Sequence, residues 1–397
     1  MAWTNTTAAA RALAIALAIA LAMAGGIALT ARLACAEILA RRDTAPALVR
    51  AAGLDRLAPP PAYFERLAEL EPEDAQHWLD SALAANSRDT SARIALGLAE
   101  EHNGAIAQAE RDLLVAASFD HQYLPAWTLT GFYFRQNRRP EFWAWGRRTA
   151  ALNYDDLRPL LALAHAAEPD PRGAIQNLGG SDQLIFADLD YLAQKRRLED
   201  VQEIARLLIA RHDPADKPRL LALAELQIQA GRAPDAVELW NSVSPPVNPE
   251  GDALAAGELS SAPSGIAFDW SLPQSEGVAS TWQPGMLTFS LSGAQPESCA
   301  LLQQWVALDP LRPYRLRFES RSDGLTDPTG LAWELDGDSA AIPLSGDWSW
   351  ANVNLRLKDA HAGHLRLAPL RLLYQRPPGT VRTAGEIHIR KLSLEAL

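Results

Sequence analysis

A self-match at a spacing of 34 residues constrains this chain more than anything else in it. When 91–124 is laid on 125–158, Ala92 meets Ala126, Gly97 meets Gly131 and Asn103 meets Asn137; Ala116 and Ala117 meet Ala150 and Ala151. Residues without bulk let neighbouring helices approach, and a period of this length predicts helix–turn–helix units stacked into a solenoid. Solenoids present extended concave surfaces for binding, so the chain is expected to hold other molecules.

Helical spacing of apolar positions, in a background rich in Ala, Leu, Arg and Glu, runs from about 60 to 245. An earlier copy begins at PPPAYFERLAELEPED, where Pro59–Pro61 suit a helix start, and continues through AQHWLDSALAANSRD with Ala75 and Ala82 at the second-helix offsets. Downstream, QKRRLEDVQEIA and QAGRAPDAVELW align at a spacing of 35, pairing Arg197 with Arg232 and Glu203 with Glu238. Four to five helical hairpins are expected, with an interruption over 155–185 where EPDPRG and LGGSD break helices.

The frame of Trp127, Gly131 and Ala150, and of Gly97, Ala109 and Ala116 one copy earlier, resembles the tetratricopeptide repeat. The resemblance implies that first-helix positions face a concave groove that binds a protein partner. Those positions are Leu98, Glu101 and His102 in one repeat and Thr128, Phe132, Arg135 and Gln136 in the next. Most of the surrounding aromatics, Tyr133, Phe134, Phe142, Trp143 and Trp145 among them, are expected between helices.

From Ala12 to Ala31 there is no charge, and about 20 apolar residues suffice to cross a bilayer as a helix. Three readings compete: an uncleaved signal-anchor, which is favoured; a cleavable signal peptide with Ala34-Cys35-Ala36 as the cleavage site; and a lipoprotein signal, disfavoured because Arg32 stands where an aliphatic residue belongs. Arg32, Arg41 and Arg42 after the segment argue for a cytoplasmic bulk. The closeness of the segment to the start argues for export, and export is preferred.

SPPVNPEGDALAAGELSSAPSG (244–265) has no apolar period and reads as a linker. Beyond it the period becomes two: Leu287, Phe289 and Leu291; Tyr314, Leu316 and Phe318; Val353, Leu355 and Leu357 each alternate with polar residues. Six to nine such runs over about 135 residues predict an antiparallel sandwich. In QQWVALDPLRPYRLRFESR the segment Asp309–Pro313 reads as the turn of a hairpin. That stretch resembles the central hairpin of jelly-roll carbohydrate-binding modules of the galactose-binding-like class. Trp333, in phase with Leu331 and Leu335, is expected in the core. Trp282, Trp348 and Trp350 are the candidates for a sugar-stacking surface, and Asp336, Asp338 and Asp347 the weak candidates for Ca²⁺.

The net charge of −11 speaks against nucleic acid, because phosphate neutralisation needs a basic face. Two cysteines, Cys35 and Cys299, supply neither a metal set nor an expected disulfide. The eight histidines are scattered except for His361-x-x-His364, which is no HExxH. There is no phosphate loop, nucleophile elbow or CxxC, so neither catalysis nor a cofactor is expected.

The expected layout is multidomain α and β. It comprises a short tail (1–11), a transmembrane helix or signal anchor (12–36), a connecting segment (37–58), a tetratricopeptide-like α-solenoid (59–243), a linker (244–265) and an antiparallel β-sandwich or jelly roll (266–397). That order resembles bacterial envelope proteins of the exopolysaccharide-associated kind. The resemblance implies a single-pass inner-membrane scaffold with its bulk in the periplasm and a polysaccharide-assembly or export protein as partner. The alternative is a glycan-binding sandwich carried on a helical stalk.

Overall fold

The computed structural model describes residues 4–55, 59–153, 156–358 and 365–397, with side chains from Leu13 onward. The chain forms two compact units, one ending at Asp188 and one beginning at Leu189.

The first unit opens with α1 (Thr4–Ala40), whose stretch Leu13–Ala40 contains an 18-residue window of mean hydropathy 2.3. Leu13, Ile15, Leu17, Ile19, Leu21, Met23 and Ile27 stand exposed on it. A helix with an uncharged run from Ala12 to Ala31 and exposed apolar side chains along it has the length and composition of a membrane anchor or a signal sequence. Among the described residues, only its C-terminal end packs. Ala36 is buried, and Arg32 Nη2 donates to the carbonyl of Leu54 (2.7 Å), capping α2 (Ala45–Leu54).

Helical pairs follow: α3 (Pro61–Leu70) with α4 (Ala75–Ala85), α5 (Thr90–His102) with α6 (Ile106–Phe119), α7 (Tyr123–Arg135) with α8 (Arg139–Leu152), and α9 (Arg158–Ala167) with α10 (Pro171–Leu178). Next come α11 (Asp182–Gln194), which runs across the border of the two units, and α12 (Leu198–Arg211). The last pair is α13 (Lys217–Gln229) with α14 (Ala233–Asn241). Among the described residues this makes six successive hairpins where the sequence suggests four to five. The extra one is the short α9–α10 pair inside 155–185, where Glu168–Asp170 and Gly179–Gly180 break the helices as their composition predicts.

One turn geometry recurs. The N–H groups of Ala105, Arg138, Arg197 and Arg232 donate to the carbonyls of Glu100, Tyr133, Leu192 and Gln227, each five residues earlier. The residue before each donor (Gly104, Asn137, Arg196, Gly231) is left-handed, with φ between 54° and 78°. This six-to-one bond over a left-handed residue closes a helix C-terminus and redirects the chain into the next helix. After three of these turns an Arg-x-x-acid clip opens the second helix: Arg138–Glu141, Arg197–Asp200 and Arg232–Asp235.

The small residues do what the period implies at Gly97, where an added Cβ would lie 2.8 Å from Leu113 Cγ. Ala92, Ala109 and Ala116 are wholly buried. Gly131, aligned with Gly97, is not a crossing point; a Cβ there would meet only Arg135 Nη1 at 3.0 Å. The close approach lies instead at Gly146 on α8, where a Cβ would stand 3.0 Å from Leu178 Cδ2 on α10 of the next pair.

In the second unit nine strands follow the helices: β1 (Val278–Gln283), β2 (Met286–Ser292), β3 (Ser298–Leu308), β4 (Tyr314–Asp323), β5 (Leu331–Leu335), β6 (Asp338–Ala341), β7 (Ser349–Leu355), β8 (Arg366–Gln375) and β9 (Ala384–Ala396). They form two antiparallel sheets of order β1-β2-β9-β4-β7 and β3-β8-β5-β6. With β1 set aside, 2-9-4-7 against 3-8-5-6 is the strand order of a jelly roll. Phe289, Tyr314, Leu316, Phe318, Trp333, Leu355 and Tyr374 meet between the sheets, so the period-two runs, and Trp333 with them, face inward as their alternation predicts.

The expected hairpin over 303–321 is corrected. β3 pairs with β8 and β4 with β7 and β9, so Asp309–Pro313 is an arch carrying the chain from one sheet to the other. The Asp309 N–H donates to the Tyr314 hydroxyl across it (2.8 Å). Both runs turn apolar side chains inward. That arrangement satisfies two facing sheets as well as one.

Residues 244–265 form a strap laid on this unit. Ala253, Leu254 and Leu259 enter the sandwich core, and Leu392 N–H donates to the Gly257 carbonyl (2.9 Å). The chain passes so close that a Cβ on Gly257 would lie 1.9 Å from the Leu392 carbonyl oxygen. Helices and sandwich are also joined directly: Trp240 meets Phe268 edge to face (6.0 Å), and Ala267 N–H donates to Glu225 (2.8 Å).

Candidate functional site

The first helices of three successive pairs line one groove in the first unit, of about 530 Å³. Leu98 comes from α5; Trp127, Thr128, Gly131, Phe134 and Arg135 from α7; Pro159 and Leu163 from α9. Helical spacing places 127, 128, 131, 134 and 135 of α7 on one stripe, and the glycine at its centre keeps the floor open. Leu98 is exposed, and Trp127 stacks parallel to Tyr123 with centroids 6.3 Å apart. The Thr128 hydroxyl donates to the Leu124 carbonyl one turn back (2.9 Å), which leaves its methyl to the groove.

One rim of the groove is polar. Arg135 Nε and Nη2 donate to the two Glu101 carboxylate oxygens at 2.9 and 2.7 Å, and Gln136 Nε2 donates to Oε1 at 3.0 Å. Burial opposes the charge on Glu101. The hydrogen bonds from Arg135 and Gln136 overcome it and hold the carboxyl below the ordinary glutamate value.

Of the residues singled out in sequence, Leu98, Thr128 and Arg135 line the groove, and Glu101 and Gln136 form its rim. His102 is exposed at the end of α5. Phe132 is corrected to core. It is fully buried with Leu113, Leu129, Tyr133 and Phe142, because its position on α7 turns toward α6 and α8. Phe134, expected between helices, lines the groove together with Trp127 of the repeat frame, and Pro159 and Leu163 join them from the irregular stretch. A Leu-rich run after Arg158-Pro159 is the one signal that marked them.

The three tryptophans chosen for sugar stacking do not form one platform. Trp282 lies on β1 and Trp350 on β7, at opposite edges of the five-stranded sheet. The Trp282 ring packs on the sandwich core, and its indole N–H donates to the Leu259 carbonyl (3.0 Å). Trp348 and Trp350 are near neighbours, each under a guanidinium: Arg390 lies 3.9 Å from the Trp348 centroid and Arg317 4.0 Å from that of Trp350. Asp338 accepts from the Arg356 N–H and Asp336 from the Lys358 N–H, so these carboxylates close a loop. His361 and His364 lie outside the described residues.

No family model matches the chain, and no curated protein does. Among solved structures, yeast Tom70 shares 14% identity over 50% of this chain and 45% of its own, at a TM-score of 0.30. The APC/C hetero-tetramer Cut9–Hcn1 shares 14% over 54% and 42%, at 0.27. A family 29 carbohydrate-binding module complexed with mannohexaose shares 11% over 31% and 77%, at 0.19. The chain thus spans under half the length of the first two. The helical hairpins and the jelly roll stand on the recurring turns and the strand order described above.

Proposed function

We propose that this protein is a membrane-anchored, non-catalytic scaffold that seats an apolar segment of a partner protein in the groove between α5, α7 and α9. The observation that supports this is the groove itself, an apolar floor spread over three successive first helices with an anchored Arg–Glu rim. Repeats of this kind bury one face against each other and leave the other to a partner. With α1 as an uncleaved anchor, the bulk lies in the periplasm and the partner belongs to envelope polysaccharide assembly or export, as the order of anchor, repeats and sandwich implies.

The test places a photo-crosslinking amino acid at Thr128 in the full-length protein within its own membranes, with exposed Ala144 on α8 as control. One discrete crosslinked protein at Thr128, absent at Ala144, is expected. Equal crosslinking at both, or none at either, overturns the reading.

A further inference from the structure

The second unit holds a cleft of about 680 Å³, bounded by α13, the strap and the outer face of the five-stranded sheet. We infer that it binds an acidic saccharide, a pyranose carrying a carboxylate. This goes beyond the docking role above and stands apart from it.

The aromatic floor is Trp350, 46% exposed. Arg317 on the neighbouring strand lies over that ring, and Lys391 Nζ is 5.6 Å from its centroid. Lys391 also bonds to Glu319 (3.1 Å). Lys217, at the start of α13, completes the basic side of the cleft. Among the described residues, no carboxylate lies within ion-pairing distance of Arg317 or Lys217. A guanidinium that sits on an indole and has no carboxylate partner keeps N–H donors for a planar anion, and a carboxylate fits its fork.

The opposite wall is hydroxyl-rich. Ser260, Ser261 and Ser264 come from the strap, and its exposed Glu258 adds an acceptor. Two nearby carboxylates are already occupied. Asp252 accepts from the Leu254 and Leu394 N–H groups, and Asp269 from the N–H and hydroxyl of Ser264. The exposed part of the indole, the guanidinium beside it and the Ser260 and Ser261 hydroxyls match the apolar face, the acid and the ring hydroxyls of a uronic sugar. Lys217, Leu221 and Ile266 are shared with a second groove that runs out past Pro218 and Ala222. An open-ended track suits a chain better than a small molecule, which closed pockets bury almost entirely.

Isothermal titration of the full-length protein in mild detergent tests this, with hexagalacturonate and hexamannuronate as acidic probes, cellohexaose as the neutral one and poly-glutamate as the polypeptide anion. At least one acidic hexamer is expected to bind about tenfold or more tighter than cellohexaose and poly-glutamate. Trp350→Ala, Arg317→Gln and Lys217→Gln should each weaken it by about tenfold. The two exposed-cation variants leave the core untouched, so their melting curves should match the wild type. Failure of both acidic hexamers to bind at millimolar concentration, or binding unmoved by all three variants, overturns the site. Poly-glutamate binding as tightly with the same variant sensitivity also overturns it, in favour of an acidic polypeptide. The crosslink at Thr128 is untouched by any of these outcomes.

Discussion

Arg135 and Glu101 stand 34 residues apart in the chain and 2.7 Å apart in the structure. The repeat period is thus written as a physical bond between equivalent positions of α5 and α7. Further on, ion pairs at nearby separations of 33 and 32 residues also join neighbouring repeats, where Arg232 reaches Glu199 and Glu238 accepts from Arg206.

Removing the bridge with Arg135→Met should cost at most about 1 kcal/mol at neutral pH, because the guanidinium is half exposed. The Glu101 carboxyl is depressed in the folded protein, so the bridge stabilises above the ordinary glutamate range and is lost as pH falls through the lowered value. Urea denaturation at pH 7 should separate variant from wild type, and the gap should close in strong acid.

Glu100, one residue earlier, behaves in the opposite sense. Burial raises its carboxyl above the ordinary value, and Asp112 beside it adds to the effect. A raised acid favours the fold while protonated and weakens it as pH rises from the unfolded toward the folded value. Glu100→Gln should therefore raise the melting temperature at pH 7 and change it little at pH 4.

Phe132→Ala removes a fully buried ring and should destabilise the helical repeats by about 3–5 kcal/mol. Leu98→Ala, one repeat back, should cost under about 1 kcal/mol, since its side chain is exposed. Leu98→Asp should leave the melt intact and abolish the crosslink at Thr128. Loss of helicity in Leu98→Asp, seen by circular dichroism, would contradict its placement in the groove.

That contrast shows how far the sequence was readable. A period assigns Leu98 and Phe132 the same phase, but burial is decided by whichever helices flank each one. Alternation in Tyr314, Leu316 and Phe318 identified a strand and its inner face, since a strand's side chains have no other choice. It carried no information on which sheet takes the strand, so the arch at Asp309–Pro313 read as a hairpin. The strap was hidden for a different reason. Its Pro, Gly and Ser content has no period because single residues, Leu254 and Leu259, anchor an irregular backbone. Pro159 and Leu163 were obscured by helix breakers that shorten α9 and α10 without removing them.

Gly97→Ala should cost about 1–3 kcal/mol through its collision with Leu113. Leu113→Ala on its own leaves a cavity. In combination the two should cost less than their sum, because the smaller side chain makes room for the new methyl. Additive losses in a double-mutant cycle of chemical denaturation would remove the close approach of α5 and α6 from the account.

The hold of Gly257 on Leu392, with Trp240 set against Phe268, also has a mechanical meaning. These contacts and the Ala267–Glu225 bond tie the strap and the helices to the sandwich, so the sandwich is no pennant on a string. Force applied to its outer face, by a polymer dragged through or a ligand pulled away, is shared with α13 and α14 through Glu225 and Trp240.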